Sequence, residues 1–254
     1  MDELVKSLQK SEMFARIVSR LRETGKARLE GVWGSAPALL AAAVGLSESR
    51  VILCVTAHTE QAEEFVEDMN VFAPGLASYF PAWEALADDD APDSDILARR
   101  VTLLRQLFCE RDKMGRKVVV APAQAVLQEV ITPEAIEQNT LEIAKGERHD
   151  PDKVAAWLAE RGFDSVPQVS APGEYSRRGG ILDIFPYVAD LPARLEFFGD
   201  EVDSIRLFDP DTQTSVTETP VCRITAMAKS HEGWRVGPAR SIFEYLPQNA
   251  WLMV

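Results

Sequence analysis

The octapeptide Gly31-Val-Trp-Gly-Ser-Ala-Pro-Ala38 stands where an apolar segment meets a run of small residues, in the manner of a loop that cradles phosphate. A working loop of that type reads G-x-x-x-x-G-K-[ST]. Glycines let backbone N–H groups close on the anion, the lysine reaches the β- and γ-phosphates, and the hydroxyl holds magnesium. Counted from Gly31, the last three positions carry Ala36, Pro37 and Ala38. Gly31, Gly34 and Ser35 thus keep the outline of a loop that has lost its phosphate and magnesium ligands. Backbone N–H groups at a helix start can hold an anion without side chains. Proline also suits a first helical turn, so the stretch reads more simply as a structural strand-to-helix turn.

No other group of residues assembles a catalytic or metal centre. His58, His149 and His231 are scattered, with no nucleophile beside them in sequence. Cys54, Cys109 and Cys222 are widely spaced in apolar runs, without a CxxC or Cys/His ligand pattern, as expected of reduced thiols in a cytoplasmic protein. Glu84, Asp88, Asp89 and Asp90 lie in an acidic loop that reads as solvated rather than as a cation site. No catalytic residue, metal or cofactor is expected.

The hairpin from Ala193 to Arg206 offers recognition instead of chemistry. Strand alternation puts Leu195 and Phe197 on one face and Arg194, Glu196 and Phe198 on the other. The first face is core. Arginine and aromatic residues on the second are the types enriched at interface hot spots, and on an outer face their substitution should cost little stability. Arg177-Arg178, just before the Gly179-Gly180 entry to the preceding strand, supplies a basic pair near that face.

These residues need elements to position them. Phe14, Ile17, Val18 and Leu21 have helical spacing, and the helix ends at Glu23-Thr-Gly-Lys26. Val51–Val55 and Val118–Ala121 are short, β-branched and apolar, as buried strands are, and helical patterns at Glu60–Met69 and Asp95–Phe108 lie between them. Alternating strand and helix predicts a parallel α/β sheet. The pattern changes after about Thr140. Asp150-Pro151 caps a helix with Val154, Trp157 and Leu158 on one face and Gly162 at its end. Strand-like runs follow at Gly180–Phe185, Ala193–Phe198 and Val202–Phe208, the last two joined at Gly199-Asp200. That succession predicts an antiparallel α+β module. The apolar run Ala250–Val254 reads as a strand cut in mid-domain, so the chain is expected to be a fragment.

Composition limits the partners. The 254 residues carry a net charge of -13, which disfavours a broad surface for nucleic acid or anionic membrane. No apolar run approaches the ~20 residues of a membrane span.

The run "APGEYSRRGGILDIFP" from Ala171 to Pro186, followed by "RLEFFGDEVDSIRLFDPDTQTS" from Arg194 to Ser215, resembles the Mfd family of bacterial transcription-repair coupling factors. It is more distantly similar to UvrB. The stretches "GVWGSAPALL", "FPAWEALADDDAPDSDILARR" and "VVVAPAQAVLQ" fit the N-terminal part of that family in order. UvrB keeps an intact phosphate loop and a DNA-probing aromatic hairpin, and the stretch from Trp83 to Asp95 is too short and acidic to hold the latter. The resemblance implies a RecA-like, UvrB-like domain 1a over residues 1–139 with a degenerate phosphate loop. It further implies an inserted UvrA-interacting domain 2 over 140–226, and the start of domain 1b over 227–254. It implies UvrA as partner and assigns its contact to Arg178, Arg194 and Phe198. RNA polymerase and DNA would be engaged through C-terminal domains absent from this chain. The alternatives are a nucleotide hydrolase using the Gly31 loop and a UvrB-like DNA-binding module.

Overall fold

The computed structural model describes residues 2–83, 94–109, 116–226 and 240–254. In chain order the helices are α1 (Asp2–Gln9), α2 (Glu12–Thr24), α3 (Ala36–Ser47), α4 (Thr59–Phe72), α5 (Ser94–Cys109), α6 (Ala123–Leu127), α7 (Pro133–Gln138) and α8 (Pro151–Glu160). The strands are β1 (Val51–Thr56), β2 (Ala77–Tyr79), β3 (Lys117–Pro122), β4 (Thr140–Ala144), β5 (Asp164–Ser165), β6 (Glu174–Arg178), β7 (Ile181–Ile184), β8 (Ala193–Phe198), β9 (Glu201–Phe208), β10 (Ser215–Glu218), β11 (Val221–Thr225) and β12 (Trp251–Met253). The fold is α/β, with one parallel sheet and two largely or wholly antiparallel ones. Two compact units divide it: Met1–Trp83 with Leu103–Glu129 and Ser241–Val254, and Glu84–Thr102 with Val130–Arg240.

In the first unit the strand order is β12-β1-β3-β2, every pair parallel. Val51–Cys54 and Val118–Ala121 are buried on both faces, which is why these strands are continuous apolar runs rather than alternating ones. The α2 helix follows its signals closely. Ser11 accepts a hydrogen bond from the Phe14 N–H at the start, Gly25 takes φ +72° at the end, and Phe14, Ile17 and Val18 are buried. Small residues let α3 lie close to the sheet: a Cβ on Gly45 would come within 2.9 Å of Val118 Cγ2. Among the described residues, no helix is long and apolar enough to cross a membrane.

The expected strand before the Gly31 loop is absent. Residues 26–33 form neither helix nor strand, so the loop joins α2 to α3 through irregular backbone. Apolar side chains there stay in solvent, with Leu29, Val32 and Trp33 all exposed, because no neighbouring strand engages this stretch in a ladder.

The second unit is built on a six-stranded sheet ordered β10-β9-β8-β7-β6-β5, antiparallel except for the β5–β6 pair. A separate two-stranded sheet pairs β4 with β11. Asp150 caps α8 by accepting from the Asp152 and Lys153 N–H groups, and Gly162 adopts φ +80° beyond its end. Val154 and Leu158 of α8 share a core with Tyr175, Leu182, Ile184, Leu195, Phe197, Val202 and Ile205. Only one face of the large sheet is spent on that core. The other face is mostly polar, although Phe208 is buried on it and Phe198 is exposed there.

Arg177 and Arg178 precede β7 across the Gly179-Gly180 turn, as expected, and they also end a strand that has no clear signature in the sequence, β6, which pairs with β7. The apolar alternation that would mark β6 is hidden because its inward positions are Tyr175 and Arg177. The Arg177 guanidinium lies 3.5 Å from Asp152 on α8.

Candidate functional site

The Gly31 loop is shaped by two left-handed glycines, Gly31 at φ +73° and Gly34 at φ +55°, conformations that disfavour other residues. Ser35 occupies the N-cap of α3 but its hydroxyl makes no cap hydrogen bond, and Pro37 falls in the first turn. The Ala36 N–H donates to the Trp33 carbonyl at 3.2 Å and so closes the turn on itself. Beside the loop is an open groove of about 840 Å³ lined by Gly34, Ser35 and Pro37, with Glu64, Glu67 and Asp68 on its wall. No lysine or arginine is among its lining residues. Carboxylates without a compensating cation oppose a polyphosphate there.

The remaining nominal chemistry is structural or lies elsewhere. Burial pushes the Cys54 and Cys222 thiols up to about 12, which leaves them as protonated core residues. His149 pairs with Glu147 at 3.1 Å, and His58 precedes α4 as its N-cap. His231, Glu84, Asp88, Asp89, Asp90 and the Cys109 side chain lie outside the described residues. Among the described residues, no three His, Cys, Asp or Glu side chains converge as metal ligands.

The polar face of the six-stranded sheet does bring sequence-selected residues together. Register sets Asp183 of β7 opposite Arg194 of β8, and Arg194 opposite Arg206 of β9. Asp183 is 1% exposed and accepts two hydrogen bonds from Arg194, from Nε at 2.7 Å and from Nη2 at 2.9 Å. Arg178 reaches the same carboxylate from β6, its Nη2 3.7 Å from Asp183 Oδ2. The Arg194 guanidinium also lies over the buried Phe208 ring, 4.6 Å from its centroid. Hydrogen bonding to Asp183 holds this guanidinium above the usual arginine range. Arg177 points the other way, so the two adjacent arginines serve opposite faces of one strand.

Phe198 ends β8 on the same face as Arg194 and is 86% exposed. Its neighbour Phe197 is turned into the core, and the Phe197 N–H donates to the Gly180 carbonyl at 2.7 Å. The ladder shifts register between Glu196 and Phe197, with Asp203 as the extra residue on β9. From the other side, the Gly146 N–H donates to the Val202 carbonyl and the His149 N–H to the Asp200 carbonyl, bracing the hairpin end. A Cβ on Gly180 would lie 2.8 Å from the Phe197 carbonyl oxygen, a backbone atom with little freedom to retreat. Gly180→Ala is therefore expected to destabilise the second unit by about 1–3 kcal/mol through overpacking, read as a lower thermal midpoint. An unchanged midpoint would show that the hairpin yields more freely than its hydrogen bonds suggest.

Two features escaped the sequence. Asp183 reads there as an ordinary strand residue, and its role appears only when β7 and β8 are put in register. Arg194 is not the free outer residue that alternation suggested. Its side chain is 22% exposed, held by Asp183 and Phe208, so the expectation of little stability cost on substitution is corrected for Arg194. Phe198 keeps that expectation.

A solvent-facing aromatic at the end of the strand that carries Arg194, with Arg178 and Arg194 both drawn to one buried carboxylate, makes this face the candidate site, and it is set on a domain whose sequence is itself recognisable. Residues 141–230 match the family described as the UvrB interaction domain. Over most of its length the chain is similar to proteins named transcription-repair-coupling factor. It is 32% identical over 198 residues to that of Escherichia coli K12, covering 77% of this chain and 17% of the relative. With that of Bacillus subtilis 168 it shares 31% identity over 219 residues, covering 85% and 18%. The Haemophilus influenzae relative is 34% identical over 191 residues, covering 75% and 16%. These findings match the chain to the N-terminal region of the bacterial transcription-repair coupling factor, of whose length it spans about one sixth.

Proposed function

We propose that this chain is the recruitment part of a transcription-repair coupling factor, and that it binds UvrA through Arg178, Arg194 and Phe198 without performing catalysis. The observation that carries the reading is the position of Phe198, largely exposed to solvent at the end of a braced hairpin within the stretch that matches the UvrB interaction domain. A large apolar ring held out in water is a cost that a partner's pocket recovers. In this reading residues 1–139 form a RecA-like domain 1a, residues 140–226 form domain 2, and residues 227–254 begin domain 1b. The protein acts in the cytoplasm. RNA polymerase and DNA are engaged by parts of the whole factor outside this chain. The test is titration of the 254-residue chain against purified UvrA, with saturable binding expected.

The degenerate phosphate loop gives a second expected result. Calorimetry with millimolar ATP and magnesium should show no binding heat, and the chain should release no phosphate from ATP. Ala36, Pro37 and Ala38 supply no ligand, and the adjoining groove offers carboxylates instead of cations. Tight ATP binding lost on substitution of Gly34 would overturn the assignment of this loop as a structural turn.

A further inference from the structure

We infer that Asp183 is a positioning residue for partner binding: a buried carboxylate that fixes the two arginines of the recognition face. The inference rests on the reading of that face as the UvrA-binding surface. Three observations support it. Asp183 is almost wholly buried, yet it faces the polar side of the sheet rather than the core shared with α8. Its two oxygens are committed to Arg194 in a bidentate pair. The second of them also lies 3.7 Å from Arg178, whose side chain is otherwise 60% exposed. One carboxylate thus draws guanidinium groups from β6 and β8 together across β7.

The commitment divides the labour between the arginines. Arg194 spends Nε and Nη2 on Asp183 and one face on Phe208, leaving little of its fork for a partner. Arg178 retains most of its donors and is steered by the carboxylate rather than consumed by it. A long exposed arginine otherwise loses rotamer freedom on binding, so an anchored one binds at lower entropic cost.

Simple electrostatics predicts the opposite sign for the decisive variant. Asp183→Asn removes a negative charge from beneath two arginines, so a partner recognising charge alone would bind the more positive face more tightly. The positioning account predicts weaker binding, because the amide replaces one acceptor with a donor and the bidentate pair cannot form. Asp183→Asn in the 254-residue chain is expected to bind UvrA about tenfold more weakly, although both arginines are intact. Equal or tighter binding by the folded variant overturns the inference.

A second background keeps the test decisive if Asp183→Asn fails to fold. Asp183→Leu with Arg194→Met replaces the pair by apolar side chains of similar size, an exchange that buried ion pairs commonly tolerate. In the parent, Arg178→Ala should weaken UvrA binding about tenfold; in the apolar background, where Arg178 has lost its anchor, it should change binding by less than about twofold. An equal loss in both backgrounds shows that Arg178 acts independently and overturns the inference. If Phe198→Ala weakens binding while these Asp183 effects are absent, positioning alone is wrong and the recognition face stands. If the parent chain does not bind UvrA, the reading of the face falls and the inference falls with it.

Discussion

Arg194→Glu is expected to unfold the second unit rather than only to weaken its binding. The substitution removes both hydrogen bonds to Asp183 and places a second carboxylate against one that is 1% exposed. Breaking a buried ion pair by removing one partner costs about 3–5 kcal/mol, because the surviving charge is left without compensation. Like charges in contact add to that cost. Against the roughly 5–15 kcal/mol that separates a native domain from its unfolded state, this is a large fraction. Thermal unfolding followed by circular dichroism should show the transition lowered by on the order of 20 °C, or the unit already unfolded at room temperature. The apolar exchange of Asp183→Leu with Arg194→Met is the control, and it should melt close to the parent. Loss of UvrA binding in Arg194→Glu is thus no proof of direct contact. A variant that melted like the parent would show that Asp183 finds another partner.

Phe198→Ala has the opposite profile. Its ring is exposed and makes no part of the core that Phe197 enters, so truncation should change stability by no more than about 0.5 kcal/mol. Binding should suffer far more. An aromatic hot spot commonly contributes about 2 kcal/mol or more, roughly thirtyfold in affinity. The two variants are therefore expected to separate what the sequence had joined, with Arg194 serving the fold first and Phe198 the partner. Parallel melting and UvrA titrations of both proteins check this. A Phe198→Ala protein that melts early would show the ring to be structural.

Why the sequence distinguished some of these roles and not others follows from how far apart the determining residues lie. The caps of α2 and α8 and the β-branched runs of β1 and β3 are local signals, and each fixes its element within a few residues. The exposure of Phe198 is nearly as local, needing only strand alternation and the turn at Gly199. By contrast, the commitment of Arg194 depends on Asp183, eleven positions away, and on a register that no short window contains. The β4–β11 pair is more distant still and has no local signature. Strand β6 was missed for another reason, since a charged residue, Arg177, occupies an inward position there, 3.5 Å from Asp152. That Ala36, Pro37 and Ala38 carry no phosphate or magnesium ligand was fully legible. The missing strand before them was not, because a ladder requires a partner and a residue run cannot report whether one is present.

The central claim is recruitment of UvrA by the exposed ring, and titration of UvrA into the parent chain and into Phe198→Ala tests it most directly. The account predicts saturable binding by the parent and a loss of roughly thirtyfold or more in the variant, with both proteins melting at the same temperature. No binding by the parent, or equal binding by the two proteins, would contradict it.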